Sequence, residues 1–272
     1  MAANLPISSR EYKLILNCDR FADREAGKQA FWKLIAFLVE RQEGQAKIQN
    51  DNHEEFRETW YLDTPSRDFQ RQGYIIRVRK EKKGEDNEFK LTLKYRSGDR
   101  YLAASKDIAS VHGGETKFEE DIVPPFISKF SQSTSVKFEK LPDVSTVGAL
   151  ERLFPGLGTL QLLPALPVGP VGNFKAQEYA HKFGKLKFPN GDNSLSVKAA
   201  FSFWYLSDAV KDLPVIGEFS FNYEIEPPPT QLEEFPIRLV DQTNRFFNSL
   251  QSQTGWLNLN AQTKTALALE SV

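Results

Sequence analysis

Polar and apolar residues alternate along several stretches of the chain with the period of two that a half-buried strand requires. In residues 88–96, Phe89, Leu91, Leu93 and Tyr95 fall on one face and Lys90, Thr92, Lys94 and Arg96 on the other. In residues 74–80, Arg77 and Arg79 share a face. Residues 9–17 set Tyr12, Leu14 and Leu16 against Glu11 and Lys13. Further strands are predicted over 56–63, 115–122, 176–188, 194–206 and 215–226. Helical spacing takes over in 23–42, where Ala30, Phe31, Leu34, Ile35 and Leu38 form one stripe. It returns over 230–251 with Leu232, Phe235, Leu239, Phe246 and Phe247. A third helix is predicted over 144–154, with Asp143 as its cap, inside a proline-bearing segment, 124–172, that otherwise reads as irregular connection. Thr64-Pro65-Ser66 ends one strand and opens a short helical turn to Gln72; Pro189-Asn190-Gly191-Asp192 supplies hairpin chemistry, and Pro227-Pro228-Pro229 stops the last strand. Many alternating strands interrupted by helices predict a β-dominated α+β fold: an antiparallel sheet or barrel with helices packed outside.

Composition narrows the chemistry. The 272 residues carry 35 cations against 36 anions, which is not the balance of a bulk nucleic-acid binder. By segment the balance changes: residues 66–117 hold 13 lysines and arginines against 8 acids, and residues 207–272 hold 4 against 9. The lone Cys18 excludes an internal disulfide and a cysteine-rich zinc site, and it is expected to act as a small buried hydrophobe. Phosphate-loop, dinucleotide and Gly-x-Ser-x-Gly motifs are absent. No apolar run nears the roughly 18 residues of a membrane span, and no signal-like leader opens the chain, so a cytoplasmic protein without a membrane partner is expected. His181 reads as a surface residue, and Trp60, Trp204 and Trp256 read as packing anchors.

The charged strand faces admit two readings. A charged face is ordinarily solvated. Yet Arg77, Arg79, Lys90, Lys94 and Arg96 lie on adjacent strands joined by a short hairpin, so their cations stand side by side and need a polyanion or carboxylates between them. Acids recur at alternate positions as well: Glu119 and Asp121 share a face with Lys117, and Glu218 and Glu224 share one with Ser220 and Asn222. Acids and cations on different walls of one barrel could hold a triphosphate with its divalent metal; they could equally pair with one another. A third reading is an unrelated barrel around an apolar ligand, suggested by 21 phenylalanines.

Three stretches carry a family resemblance. Trp60-Tyr61-Leu62-Asp63-Thr64-Pro65 followed by Gly73-Tyr74-Ile75-Ile76-Arg77-Val78-Arg79 resembles a Tyr-x-Asp-Thr-Pro segment and its Leu-Arg-x-Arg strand. Phe89-Lys90-Leu91-Thr92-Leu93-Lys94 resembles the next strand, and Lys117-Phe118-Glu119-Glu120-Asp121 an Arg-x-Glu-x-Glu strand. The family is the CYTH domain, or triphosphate tunnel metalloenzyme fold. The resemblance implies one domain over 1–272, an eight-stranded closed antiparallel barrel, and phosphohydrolase action on tripolyphosphate, thiamine triphosphate or a nucleoside triphosphate with Mg2+ or Mn2+. Removal of an RNA 5′ γ-phosphate and adenylate cyclisation belong to the family's range; beyond an RNA 5′-triphosphate end, no nucleic-acid partner is expected. By position, Arg77, Arg79, Lys90, Lys94, Arg96 and Lys117 contact phosphate, with Lys198 and with Lys185 and Lys187 compensating from the neighbouring strand. The resemblance makes Glu11, Lys13 and Glu119 the catalytic candidates, and Glu11, Glu119, Asp121 and Glu218 the candidates for metal coordination or water positioning. The sequence departs from the pattern at Ser9, Ser220 and Asn222, where the family carries carboxylates. Fewer acids weaken a dication site, so the alternative is a barrel that binds a polyphosphate or phosphorylated ligand without turnover.

Overall fold

The structure, a computed structural model, describes residues 7–49, 54–84, 86–189, 196–206, 213–224, 237–260 and 263–270. Ten strands are β1 (Ser9–Ile15), β2 (Gln45–Ile48), β3 (Glu54–Asp63), β4 (Tyr74–Lys83), β5 (Asp86–Ser97), β6 (Glu115–Val123), β7 (Ile127–Phe138), β8 (Gly169–Lys187), β9 (Ser196–Leu206) and β10 (Ile216–Glu224). The α-helices are α1 (Arg24–Glu40), α2 (Asp68–Arg71), α3 (Arg100–Ala104), α4 (Val147–Leu153), α5 (Ile237–Gln251) and α6 (Lys264–Glu270). The Asn190–Asp192 part of the expected hairpin turn, the Pro227–Pro229 stop and the first turns of the last expected helix lie outside the described residues.

The strands close into a barrel in the order β8-β3-β4-β5-β7-β6-β1-β10-β9, with β9 returning to β8 and β2 added at the far end of β8. This is nine strands where eight were expected. The ninth is β7, from the proline-bearing segment. Its Ser131-Gln132-Ser133-Thr134-Ser135 run is polar on both faces, so no apolar alternation marks it. An odd ring cannot alternate direction all the way round, and the single parallel pair is β1 with β6. α4 begins at Val147 rather than 144: Thr146 caps it by accepting from Ala149 N, while Asp143 accepts from Ser145 N in the turn before.

Helices cover the outside. Against β1, β9 and β10, α1 and α5 bury Phe31, Ile35, Phe246 and Phe247 beside Tyr12, Phe201, Phe219 and Phe221. Tyr12 and Phe221 stack with centroids 4.7 Å apart. On the other side, Leu150, Leu153 and Phe154 of the α4 region cover Ile76, Val78, Leu91 and Leu93. The phenylalanines of these clusters therefore build the outer core, while Lys13, Arg77, Arg79 and Lys94 line the cavity inside, which removes the apolar-ligand barrel. Asp63 organises the turn into β4: its carboxylate accepts from the backbone N–H of Thr64, Phe69 and Gln70 at 2.7–3.0 Å. Gly73, at φ +83°, completes the turn against Tyr95.

β8 bulges between His181 and Gly184. Gly184 sits directly under the Trp32 ring, where a Cβ has no room. His181 is buried, not superficial: its Nδ1 lies 3.0 Å from Lys28 Nζ, and its ring meets Phe183.

Phe221→Ala removes a fully buried ring at the centre of the outer core. It should lower unfolding free energy by about 3–5 kcal/mol in urea titration; a loss under about 1 kcal/mol would mean that this cluster does not hold the barrel wall.

Candidate functional site

Strand alternation sends the charges inward. Arg77 and Arg79 of β4 and Thr92, Lys94 and Arg96 of β5 face the lumen, because Ile76, Val78, Leu91 and Leu93 between them are buried under the outer helices. β1 adds Glu11 and Lys13, β6 adds Glu119 and Asp121, and β10 adds Glu218 and Ser220. A cavity of about 310 Å3 is lined by Glu11, Lys13, Arg77, Arg79, Lys94 and Glu119, among others. It continues into a space of about 60 Å3 bordered by Tyr61, Arg96 and Lys264. Below that the lumen turns apolar: Tyr61, Phe174, Trp204 and Ile216 pack around Ala268 of α6. The C-terminal helix thus closes the lower end, and the tunnel is blind.

Two ammonium groups each bridge a pair of acids. Lys13 Nζ lies 3.0 Å from Glu11 and 2.8 Å from Asp121, which face one another in register. Lys264 Nζ lies 3.0 Å from Glu218 and 3.3 Å from Glu178. Asp121 also accepts from Arg96 at 2.8 Å. Burial alone would raise its pKa, but Lys13, Lys94 and Arg96 outweigh burial and hold it well below the carboxylate range. Burial likewise works against Lys13, and Asp121 and Glu11 overcome it, so Lys13 stays charged beyond the ordinary lysine range. Glu178 is fully buried and accepts from Arg57 at 2.7 and 3.1 Å, Thr59 at 3.0 Å and Ser202 at 2.8 Å, with Arg79 at 3.4 Å. Burial opposes its charge too, but Arg79, Lys264 and Arg57 hold its pKa well below the usual value.

The cations outlast the acids. Arg77 has no ion pair among the described residues, and its buried Nε has no acceptor. Nε of Arg79 and of Arg96 lack hydrogen-bond partners as well. Lys94 is 3.7 Å from Asp121 and 4.0 Å from Glu119. Burial pulls its pKa down to about 8; Arg96 and Lys13 push the same way, and Asp121 resists. Burial and the neighbouring Arg77 also depress Arg79.

The other candidates sit higher. Lys90 lies on the lumen face above the cavity lining, in register with Arg79, and burial and Arg79 lower its pKa. Lys117 is at the exposed rim, paired with Glu115 at 3.0 Å. Lys185 and Lys198 stand beyond the mouth, on the extension of β8 and β9. Three groups that reach the tunnel escaped the sequence reading: Arg57, Glu178 and Lys264. Alternation of Ala176, Glu178 and Ala180 against Tyr179 and His181 was a usable signal for Glu178. Lys264 had none, because a tail residue reaches the lumen only through the tertiary fold.

The divalent metal that the resemblance implies does not fit this donor set as a resident ion. Among the described residues no group of three or more His, Cys, Asp or Glu could hold one. Where Glu11 and Asp121 converge, Lys13 already stands between them, and an ammonium repels a dication.

No family model and no curated protein matches this chain. Solved structures do. An adenylyl cyclase candidate from Hippeastrum, described as having a dominant triphosphatase activity, is 11% identical over 97% of this chain and 96% of its own, with a TM-score of 0.46. An adenylate cyclase candidate from Vibrio parahaemolyticus is 10% identical over 98% and 100%, at 0.36. One from Bacillus halodurans is 11% identical over 89% and 92%, also at 0.36. Scores below 0.5 say nothing about what this chain binds, so its function has to be read from the tunnel.

Lys264→Met strands Glu218, whose Oε2 already lacks a partner. Stability should fall by about 3–5 kcal/mol in urea titration, as when one partner of a buried pair is removed. Adding Glu218→Gln should recover about 1–2 kcal/mol of it. No recovery would mean that Lys264 does not act through Glu218.

Proposed function

We propose that this chain binds the terminal phosphates of a tri- or polyphosphate in its blind tunnel, and that binding needs no resident divalent metal. The observation that carries the reading is Arg77, a lumen guanidinium with a buried, unpartnered Nε and no counter-ion among the described residues. An anion entering there relieves an existing cost, because a buried donor without an acceptor is expensive. Arg77 and Arg79 offer forked donors to phosphate oxygens, and Lys94 adds a point charge beside them. The acids of the tunnel serve to hold Lys13, Arg57, Arg96 and Lys264 in place. Tripolyphosphate in EDTA should raise the melting temperature, as mass action requires, and Arg77→Met should abolish that rise. Stabilisation that appears only with added Mg2+ or Mn2+ would overturn the metal-free reading.

One observation favours hydrolysis as a second reading. Glu119 lines the cavity, and among the described residues its carboxylate is held loosely, by Ser9 Oγ at 3.3 Å and Lys94 at 4.0 Å. Magnesium is commonly bound by one or two carboxylates plus substrate phosphates. A magnesium–triphosphate complex could therefore bring its own ion to Glu119, with a water attacking the terminal phosphorus in line. Phosphate release from tripolyphosphate, ATP or thiamine triphosphate with Mg2+ or Mn2+, lost in Glu119→Gln, would establish it. No release from folded protein would exclude it.

Lys94 sets a pH dependence. Its folded pKa of about 8 lies below the ordinary lysine value of 10.5. Between these values the unfolded chain keeps a proton that the folded chain has lost, so the stability of the free protein rises with pH across that window. A bound polyanion favours the ammonium form. Tripolyphosphate affinity should therefore fall as pH climbs above about 8, with proton uptake on binding near that pH, measured by calorimetry in buffers of different ionisation enthalpy. Lys94→Met should flatten the profile; an unchanged profile would remove Lys94 from the phosphate site.

A further inference from the structure

We propose that the extension of β8, β9 and β2 above the tunnel mouth is a second polyanion site, a strip that holds the continuing chain of an inorganic polyphosphate. This rests on the tunnel reading for where the chain's end lies. Register places Lys185 directly opposite Lys47 on one side and Lys198 on the other, and Lys187 follows on the same face. Three ammonium groups abreast on neighbouring strands repel one another. Lys198 alone of the four has an acid, Glu224 at 3.0 Å; Lys47, Lys185 and Lys187 have none among the described residues. By contrast, Lys117 pairs with Glu115 at 3.0 Å and Lys137 with Glu88 at 2.8 Å.

The strip cannot turn its charges away. Leu186 and Val197, which alternate with the lysines, are fully buried in the outer core, and Gly184 is wedged under Trp32. It is also continuous with the tunnel. Ala200 and Lys182 line the cavity, and Lys198 follows Ala200 on the same face about 7 Å further up β9. Among the described residues, register places Gln45, Ser196, Ala200 and Asn222 beside the lysines on this face, and none of them is an aromatic platform for bases. Flexible point charges without stacking surfaces suit a chain of phosphates better than a single-stranded nucleic acid.

The test is calorimetric titration in EDTA, at low and at physiological salt, with tripolyphosphate and with a polyphosphate chain several times longer. The variant is Lys47→Ser/Lys185→Ser/Lys187→Ser, whose side chains are all exposed. Wild type should bind the long chain at least about tenfold more tightly than tripolyphosphate, and the variant should lose that advantage together with part of the salt dependence. Its tripolyphosphate affinity should not change. Equal loss for both ligands, or loss for neither, would overturn the strip. So would single-stranded RNA with a 5′-monophosphate binding as tightly as the long chain with the same lysine dependence. If wild type fails to bind tripolyphosphate but still binds the long chain through these lysines, the tunnel reading fails and the strip stands.

Discussion

A single carboxylate, fully enclosed, ties the inside of this barrel together. Glu178 of β8 receives Arg57 and Thr59 from β3, Ser202 from β9 and Lys264 from the C-terminal helix, with Arg79 of β4 within ion-pair distance. Removing a carboxylate from water is costly, and only several donors at once repay it. Each donor is thereby fixed, so the acid works as a positioning device. It holds Arg57 and Arg79 at the wall and draws Lys264 inward, which brings α6 across the lower end. Asp121 does the same on the opposite wall for Lys13 and Arg96. The tunnel is therefore built from buried charge on the inside and aromatic packing on the outside.

The outer packing was the legible part. Leu91, Leu93 and Tyr95 announced one face of β5, and the opposite face had to be Lys90, Thr92, Lys94 and Arg96 whatever its environment. Whether that face met solvent or a lumen could not be decided from one strand. It depends on closure, and closure depends on β7, whose hydroxyls give neither face an apolar signature. Ser133 beside Lys94 and Ser131 beside Arg96 are the reason that strand looked like loop: they line a polar lumen where an ordinary core strand would carry valine or isoleucine. Glu11, Lys13, Arg77, Arg79, Lys94, Arg96, Glu119, Asp121 and Glu218 do converge. Lys117, Lys185 and Lys198 lie on the same strand faces but higher, because alternation fixes the face of a residue and not its height along the barrel.

The neutral residues at positions 9, 220 and 222 belong with this balance. Ser9 donates to Glu119 at 3.3 Å, and Ser220 lines the cavity. Carboxylates there would have competed for Lys13 and its neighbours. Without them Asp121, Glu178 and Glu218 are engaged in holding cations, Glu119 is held only loosely, and the positive surplus, clearest at Arg77, faces the cavity. A surplus of fixed positive charge in a blind, low-dielectric recess is a recognition element for a compact polyanion, since its field is not screened as a surface charge would be.

The most direct measurement is the Nε–Hε resonance of Arg77 by 15N NMR during titration with tripolyphosphate in EDTA. It should shift saturably with one ligand per chain, together with that of Arg79, as the orphaned donors gain phosphate oxygens. Resonances that stay in place until Mg2+ is added, or shifts confined to lysines outside the tunnel, would contradict a metal-free polyphosphate site in this barrel.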